Sequence, residues 1–310
     1  MKLIFFGSDD FALTNLEALM GARAGVVAVV TQPDRKKGRG MKVSEPVIKT
    51  YAQKHKLPVL QPEDVADDEF LAALKKFEAD LFVVIAYGRI LPKSVLSIPR
   101  TFAVNVHGSL LPKYRGAAPV NWAIINGDTQ TGVTVIKMNE RMDAGEIISS
   151  KAVAIDAADT AGSLRLKMAQ ESAKLLLETI ERIKHLNYSL TKQDLSQVTH
   201  ASKVTKELGL ITWSDEAAGI HNLVRGLSPR PGAFTYFKGK QLKILSASLT
   251  EAKGKKGKPG EILEIAKNGL SVAAGAGTLL IKDVHLESSR PMPAKSFADG
   301  QRLKAGDILG

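Results

Sequence analysis

The sequence has no cysteine, few aromatic residues and no long hydrophobic run. Without thiolates it can form no disulfide framework, cysteine nucleophile, iron–sulfur cluster or thiolate zinc site. No apolar run approaches the roughly 20 residues that a membrane-spanning helix needs. The opening MKLIFFGSDDF reaches two acidic residues too early for the apolar core of a signal peptide. The six histidines show no metal-ligand spacing. We therefore expect a cytoplasmic protein without a metal or a membrane contact.

The chain is long enough for two domains, since it has 310 residues. The first two hundred alternate β-branched apolar runs with amphipathic stretches, which predicts an α/β fold with a Rossmann-like, doubly wound and mostly parallel sheet. Later residues form short strands separated by glycine-rich turns, which predicts a smaller C-terminal β-barrel of OB-like type. The polar stretch between them predicts a linker. We expect domains at 1–186 and 207–310, joined by 187–206.

The net charge of +11 is unevenly distributed along the chain. Residues 201–310 contain 17 basic and 10 acidic side chains, so more than half of the excess lies in about a third of the sequence. A polyanionic partner such as a nucleic acid would favour this excess, because Lys and Arg neutralise phosphates. Lysines that serve only solubility would explain it equally well.

Polar residues end one of the predicted buried strands, AVNVH at 103–107. Asn105 and His107 are two residues apart, so their side chains project from the same face of that strand. Ligands of an open parallel sheet bind beyond the carboxyl ends of its strands. Asp143 follows in a turn between two later strands, where a carboxylate could orient the imidazole. An amide, an imidazole and a carboxylate, with no Ser or Cys nucleophile, indicate direct group transfer. A purely structural role for each residue stays open.

A longer signature surrounds these residues. The segments VVIAYGRILP, NVHGSLLPKYRGAAPVNWAIINGD and MDAGEI closely resemble the formyltransferases that use 10-formyltetrahydrofolate, and the resemblance extends over the whole chain. It implies a catalytic domain that binds the folate and a C-terminal barrel that helps to hold RNA. Within the family, the branch that acts on initiator Met-tRNA is the most similar. The implied reaction is transfer of the formyl group to the free α-amine of the esterified methionine.

The resemblance also implies roles for individual residues. The family's catalytic trio corresponds to Asn105, His107 and Asp143, with the first two stabilising an oxyanion. The folate contacts correspond to a loop after the AVNVH strand, a segment after the LFVVI strand and one neighbour of Asp143: Ser109, Leu110, Leu111, Pro112, Ala86, Tyr87, Ile90, Leu91 and Met142. For the apolar members, plain core packing is the alternative.

A basic loop, QPDRKKGRGMK at 32–42, resembles an insertion with which the tRNA-acting enzymes reach the acceptor end of their substrate. Arg39 is therefore the candidate for a direct tRNA contact, and Lys36, Lys37 and Lys42 are candidates for phosphate contacts. A second candidate is the lysine-rich stretch with Lys253, Lys255, Lys256 and Lys258. Solvated loops are the alternative for both stretches.

Three positions depart from the family pattern, and none belongs to the trio. Asp9 stands where proline is usual, Arg230 where tryptophan is usual, and His200 where tyrosine is usual. Two other functions stay open: a related folate-dependent formyltransferase that acts on a sugar nucleotide, and a non-catalytic RNA-binding relative. The basic loop and basic C-terminal region favour tRNA over the first, and the intact trio argues against the second. We expect a monomer.

Overall fold

The computed structural model describes residues 1–37, 42–250 and 257–310. Its strands are β1 Leu3–Gly7, β2 Val26–Val30, β3 Arg35–Lys37, β4 Lys42–Ser44, β5 Val59–Leu60, β6 Leu81–Ile85, β7 Phe102–His107, β8 Arg115–Gly116, β9 Gln130–Lys137, β10 Glu146–Ala154, β11 His200–Ala201, β12 Ala233–Phe237, β13 Lys240–Thr250, β14 Ile262–Ala266, β15 Gly269–Ala273, β16 Thr278–Leu286 and β17 Met292–Pro293. Its α-helices are α1 Asp10–Gly21, α2 Val47–Lys54, α3 Asp68–Lys76, α4 Lys93–Leu96, α5 Pro119–Ile125, α6 Ala161–Lys184, α7 Ala217–Gly226 and α8 Ala294–Gln301.

Seven strands form the first sheet, in the order β10-β9-β7-β6-β1-β2-β5. The pairs from β7 to β5 are parallel, and β9 runs antiparallel to β7. Every residue of β1 and β6 is buried, as expected of parallel strands covered on both faces. The predicted mostly parallel, Rossmann-like sheet is confirmed.

The second sheet lies in the C-terminal part of the chain and is antiparallel, in the order β12-β13-β16-β15-β14, with β17 beside β16. Its inner side chains join those of α7 and α8 in one apolar cluster. In α8 the buried residues are Ala294, Phe297 and Ala298, a helical i, i+3, i+4 spacing. The prediction of a second domain rich in β-strands is confirmed.

The chain divides into two compact units. The first contains residues 1–116, 131–154 and 165–201, and the second contains 117–130, 155–164 and 202–310. Residues 187–201 of the predicted linker therefore lie in the first unit. The domain boundaries drawn from the sequence stay predictions. Within the described ranges, no helix combines the length and the apolar character needed to cross a bilayer.

Candidate active site

Three parallel strands bring their carboxyl ends to one edge of the first sheet. Gly7 at the end of β1 pairs with Ile85 at the end of β6, and Val84 pairs with Asn105 of β7. The segments that follow these strands therefore start from the same edge, where an open α/β sheet binds its ligands. Asn105 and His107 lie at this edge on β7, as the spacing predicted.

The structure brings the two β7 side chains and Asp143 together. Asp143 Oδ1 lies 3.4 Å from His107 Nδ1 and 3.4 Å from Asn105 Nδ2. The side chains of His107 and Asp143 are only 7% and 12% exposed, so water screens their interaction poorly. A carboxylate oxygen thus faces both an amide N–H and an imidazole nitrogen from one position.

The imidazole of His107 has an oxygen at each ring nitrogen. Nε2 lies 2.8 Å from the carbonyl oxygen of Tyr114, on the side opposite Asp143. A neutral imidazole carries one N–H and can donate to only one of these oxygens, whereas the doubly protonated ring donates to both. Both ring nitrogens of His107 are therefore engaged, and the ring is held from two sides by Asp143 and the Tyr114 carbonyl.

Asp143 itself is held in an unusual backbone conformation. Its φ is +50°, in the left-handed region that residues other than glycine adopt rarely. The backbone N–H of Gly116 donates to Asp143 Oδ2 at 2.8 Å. The side-chain amide of Gln193 donates to the carbonyl oxygen of Asp143, also at 2.8 Å. Both the carboxylate and the backbone of Asp143 are therefore fixed by neighbours.

The loop from Ser109 to Pro112 is anchored by one residue of the adjacent strand. Thr134, opposite His107 in the β7–β9 register, donates its hydroxyl proton to the Ser109 carbonyl at 2.7 Å and accepts the Leu111 N–H at 3.1 Å. Ser109 and Leu111 are buried, whereas Leu110 and Pro112 are half-buried. Of the predicted folate contacts in this loop, those two present more surface.

The segment after β6 contains both buried and exposed residues. Ala86 is exposed in a left-handed conformation, and the Ile90 side chain is 63% exposed, while Leu91 is buried. Tyr87 is buried against Phe6, and no partner for its hydroxyl is present among the described residues. Burial raises the pKa of Tyr87 to about 12. The Tyr87 ring is thus part of the core, whereas Ala86 and Ile90 of the same segment are exposed.

Met142, the predicted neighbour of Asp143 in the folate site, is 58% exposed. Two exposed apolar side chains, Ile90 and Met142, thus belong to the segments predicted to form the folate site. Isolated exposed apolar residues are common on protein surfaces, so their exposure alone identifies no ligand.

The basic loop is only partly described. Lys36, Lys37 and Lys42 belong to the antiparallel pair β3–β4. Arg39 lies outside the described residues, and so do Lys253, Lys255 and Lys256 of the second basic stretch. Lys258 is exposed, and its backbone N–H donates to Glu261. The predicted roles of these residues in tRNA binding stay predictions.

Sequence reasoning missed residues of the stretch 193–201, because it was interpreted as a linker. The hydroxyl of Thr199 accepts the Tyr114 N–H at 2.8 Å, and β11 pairs with β8 in parallel. Gln193 bonds to Asp143 as described above. The stretch lies about 50 residues beyond Asp143 and has no periodic pattern, so no local signal indicates these contacts.

The departure at Asp9 has a structural explanation. Its carboxylate caps α1 by accepting the Ala12 N–H at 3.1 Å, and it forms an ion pair with Arg165. Asp is a preferred N-cap residue. Arg230 and His200 are both exposed.

Among the residues described, no group of three or more His, Asp and Glu side chains is arranged to hold a metal ion.

Two family models match the chain. One, described as formyl transferase, matches residues 1–180, and the other, described as formyl transferase C-terminal domain, matches residues 203–302. Among curated proteins, the methionyl-tRNA formyltransferase of Acetivibrio thermocellus is 44% identical over 310 residues, covering all of both chains. That of Desulfotalea psychrophila is 44% identical over 309 residues, covering all of this chain and 95% of its own.

Solved structures share the fold at lower identity. The sugar 3N-formyltransferase WlaRD, determined with dTDP and 5-N-formyl-THF, has a TM-score of 0.67 at 18% identity, covering 94% of this chain and 99% of its own. HypX from Aquifex aeolicus, determined with tetrahydrofolic acid, has a TM-score of 0.66 at 18% identity, covering all of this chain and 50% of its own. At such identities the likeness shows the fold alone.

Proposed function

Because the chain belongs to the methionyl-tRNA formyltransferase family, we propose that it transfers the formyl group of 10-formyltetrahydrofolate to the α-amine of methionyl initiator tRNA. Formyl transfer to Met-tRNA is the family's activity; the donor, the choice of initiator tRNA and the residue roles are our proposal. The observation that carries the proposal is the convergence of Asn105, His107 and Asp143 at the carboxyl edge of the sheet, with both contacts to Asp143 Oδ1 at 3.4 Å.

The trio suits attack of an amine on a formyl carbon. As the new C–N bond forms, the π electrons of the formyl C=O bond move onto its oxygen, which becomes negatively charged. The C=O bond re-forms when the bond from the formyl carbon to N10 breaks and N10 takes up a proton. The Asn105 amide has a second N–H besides the one directed at Asp143 and donates it to the formyl oxygen. We assign the His107 side chain as the other stabilising group. Removing one such donor lowers kcat by about 10²–10³.

Asp143 has two tasks in this proposal. It orients the imidazole, and it receives the proton that the attacking amine loses, which passes on to N10 of the departing tetrahydrofolate. The contact of Oδ2 with the Gly116 N–H at 2.8 Å keeps the other oxygen directed at His107 and Asn105. Proton transfer by a positioned group contributes roughly 10²–10⁴-fold to such reactions.

The residues present fit a folate. Exposed Ile90 and Met142 and half-buried Leu110 provide apolar surface for its ring, and the backbone of the Ser109–Pro112 loop is fixed by Thr134. Partly apolar surfaces with a few fixed polar groups are typical of small-molecule sites. We assign the folate to the surface formed by these segments of the first unit. We also expect a cytoplasmic, monomeric enzyme.

The direct test supplies the purified protein with 10-formyltetrahydrofolate and Met-tRNA from initiator and elongator pools and measures formyl incorporation. We expect incorporation into initiator Met-tRNA and its loss, by about 10²-fold or more, in His107→Ala. Activity only on an amino sugar nucleotide would make the chain a sugar formyltransferase. Binding of tRNA with no transfer to any amine would make it a non-catalytic relative.

Basic residues are proposed to hold the tRNA, with Arg39 as the direct contact and Lys36, Lys37, Lys42 and Lys258 at phosphates. Arg39→Ala should raise the KM for tRNA and leave folate binding unchanged. The control is Arg100→Ala, an exposed arginine that precedes β7 and lies toward the opposite edge of the sheet. Added salt should weaken tRNA binding in the wild type, because phosphate contacts release counterions, and salt-independent binding would contradict these roles.

A further inference from the structure

Gln193 has a saturated side-chain amide beside the proposed catalytic carboxylate. Its Nε2 donates to the carbonyl oxygens of Asp143 and Gly145, both at 2.8 Å. Its Oε1 accepts two hydrogen bonds from Arg115, from Nε at 3.1 Å and from Nη2 at 2.7 Å. The two N–H donors and two lone pairs of a glutamine amide are thus all used.

The chemistry of the partners fixes which way this amide faces. Arginine can only donate hydrogen bonds and a carbonyl oxygen can only accept them, so Oε1 must face Arg115 and Nε2 must face the turn. A glutamate in the same place could still accept from Arg115, but it would turn a carboxylate oxygen toward two carbonyl oxygens. Position 193 therefore requires an amide rather than merely a polar residue.

The turn that Gln193 holds needs support. Asp143 has a φ of +50°, a conformation that persists where surrounding structure enforces it. Gly145 lies so close to β9 that a Cβ atom there would stand 1.8 Å from the carbonyl oxygen of Lys137. The intervening Ala144 carbonyl accepts an N–H of the Asn139 side chain at 3.2 Å. Three successive carbonyls of the turn thus accept side-chain amide protons.

The two residues of β8 both hold Asp143 in place, one directly and one through Gln193. The Gly116 N–H donates directly to the carboxylate, and Arg115 holds the Gln193 amide that fixes the backbone. The direction of the carboxylate toward His107 therefore depends on the stretch that follows the catalytic sheet in sequence as well as on the sheet itself.

We propose that Gln193, oriented by Arg115, is a positioning residue that sets the geometry of Asp143 for formyl transfer. The proposal rests on the function assigned to Asp143 above. Gln193 touches neither substrate in this role and acts only through the turn at 143–145. A displacement of about 1 Å in a catalytic group can cost about 10²-fold in rate, so the effect should fall on kcat.

The variant Gln193→Glu tests the amide at nearly constant shape. We expect kcat at saturating folate and tRNA to fall about 10–100-fold, as for residues that orient catalytic ligands, with little change in either KM. The matched control is Gln197→Glu, the same substitution four residues later, where the side chain donates to exposed Asp194; its kcat should be unchanged. Gln193→Met, of similar length but uncharged, should also lose kcat and serves if the glutamate disturbs folding.

A double-mutant cycle with Asp143→Asn separates positioning from a merely structural role. If Gln193 acts through the carboxylate, Gln193→Glu should lower kcat little further once Asp143 is replaced, because coupled residues are not additive. An equal fall in both backgrounds, a rise in KM in place of the fall in kcat, or equal behaviour of the 193 and 197 variants would overturn the proposal.

The same cycle separates the proposed role of Asp143 from that of Gln193. Full activity of Asp143→Asn would reject the assigned role of Asp143 and the positioning role with it. A large loss in Asp143→Asn together with unchanged activity in Gln193→Glu and Gln193→Met would reject the positioning role alone.

Discussion

The two units of the chain bury polar groups to different extents. Of the eleven buried polar or charged side chains in the described part of the chain, eight lie in the first unit and three in the second. Burying a polar group costs free energy unless it is hydrogen-bonded. In the first unit, His107 contacts Asp143, and the hydroxyls of Ser109 and Thr134 donate to the backbone carbonyls of Lys113 and Ser109. The core of the second unit is built mainly from apolar side chains. Both units have an apolar core, and the first adds buried hydrogen bonds around the candidate site.

The largest expected contrast compares the same substitution in both units. Asn105→Asp removes the amide donor and sets a second carboxylate beside Asp143 Oδ1, now 3.4 Å away, so kcat should fall by about 10²–10³. Asn222 of the second unit accepts a hydrogen bond from Arg225 at 2.8 Å through its side-chain oxygen, and Asn222→Asp keeps an acceptor there.

Formyl incorporation into Met-tRNA, measured with both substrates saturating, checks this contrast. Asn222→Asp should leave kcat within about twofold of the wild type, because Asn222 lies outside the proposed catalytic site. A partly exposed ion pair with Arg225 should change the free energy of unfolding by only about 1 kcal/mol or less. Equal losses in the two variants would break the distinction between the units.

Much of this site could be predicted from the sequence, for identifiable reasons. Asn105 and His107 are two residues apart at the end of a buried strand, and period-two alternation with the carboxyl-edge rule is sufficient to place them. Asp143 could be proposed from its turn between two predicted strands, and the family resemblance gives it the same role, but its left-handed backbone has no signature in the MDAGEI motif. The contact of His107 Nε2 with the Tyr114 carbonyl depends on the path of a loop, which residue types do not determine.

The role of the stretch 193–201 could not be predicted for a different reason. Contacts such as that of Gln193 with Asp143 connect residues 50 positions apart, and a polar stretch without a period resembles any linker. Helix α8 was missed because its apolar spacing covers only eight residues, too few for periodicity to distinguish it from a turn. Long-range polar contacts and short elements are therefore what the structure adds.

Two buried threonines offer a second comparison. Thr134→Val removes the hydroxyl that holds the Ser109–Pro112 loop, leaving the Leu111 N–H unpaired, and should lower the free energy of unfolding by about 1–3 kcal/mol. Thr235→Val in the second unit leaves the Trp213 indole N–H unpaired and should cost a similar amount.

Only the first of these variants should affect folate binding. Because the Ser109–Pro112 loop is the proposed folate contact, Thr134→Val should also raise the KM for 10-formyltetrahydrofolate severalfold, whereas Thr235→Val should not. Denaturant unfolding combined with folate-dependent kinetics measures both quantities. A folate KM that changes equally in both variants, or in neither, would contradict the loop's role.

A smaller effect is expected at Tyr87, whose buried hydroxyl has no partner in the described residues. An unsatisfied buried hydroxyl costs free energy, so Tyr87→Phe should raise the free energy of unfolding by about 1 kcal/mol. Burial raises the pKa of Tyr87 to about 12, above the ordinary tyrosine value of 10.0. The protonated form is therefore favoured by folding, and this contribution is present below pH 10 and is lost as the pH rises toward 12.

Alkaline unfolding of the wild type and of Tyr87→Phe measures this dependence. The variant should lose less stability between pH 10 and 12, and Tyr236→Phe, an exposed tyrosine of the second unit, should match the wild type. A raised folate KM in Tyr87→Phe would instead support the predicted folate contact of its side chain over its place in the core.

The smallest effects are expected at exposed ion pairs, one in each unit. Asp9→Asn keeps an N-cap on α1 and weakens the pair with Arg165, and Asp299→Asn weakens the pair with Lys295 on α8. Exposed pairs typically contribute about 0–1 kcal/mol, so both variants should unfold within about 1 kcal/mol of the wild type in denaturant. The first pair joins residues 156 positions apart and the second only four, so a much larger loss in Asp9→Asn would mean that a long-range surface contact stabilises the first unit in addition to its buried hydrogen bonds. Small and equal losses of unfolding free energy in the two variants would mean that the exposed ion pairs do not distinguish the units, whereas the buried polar groups do.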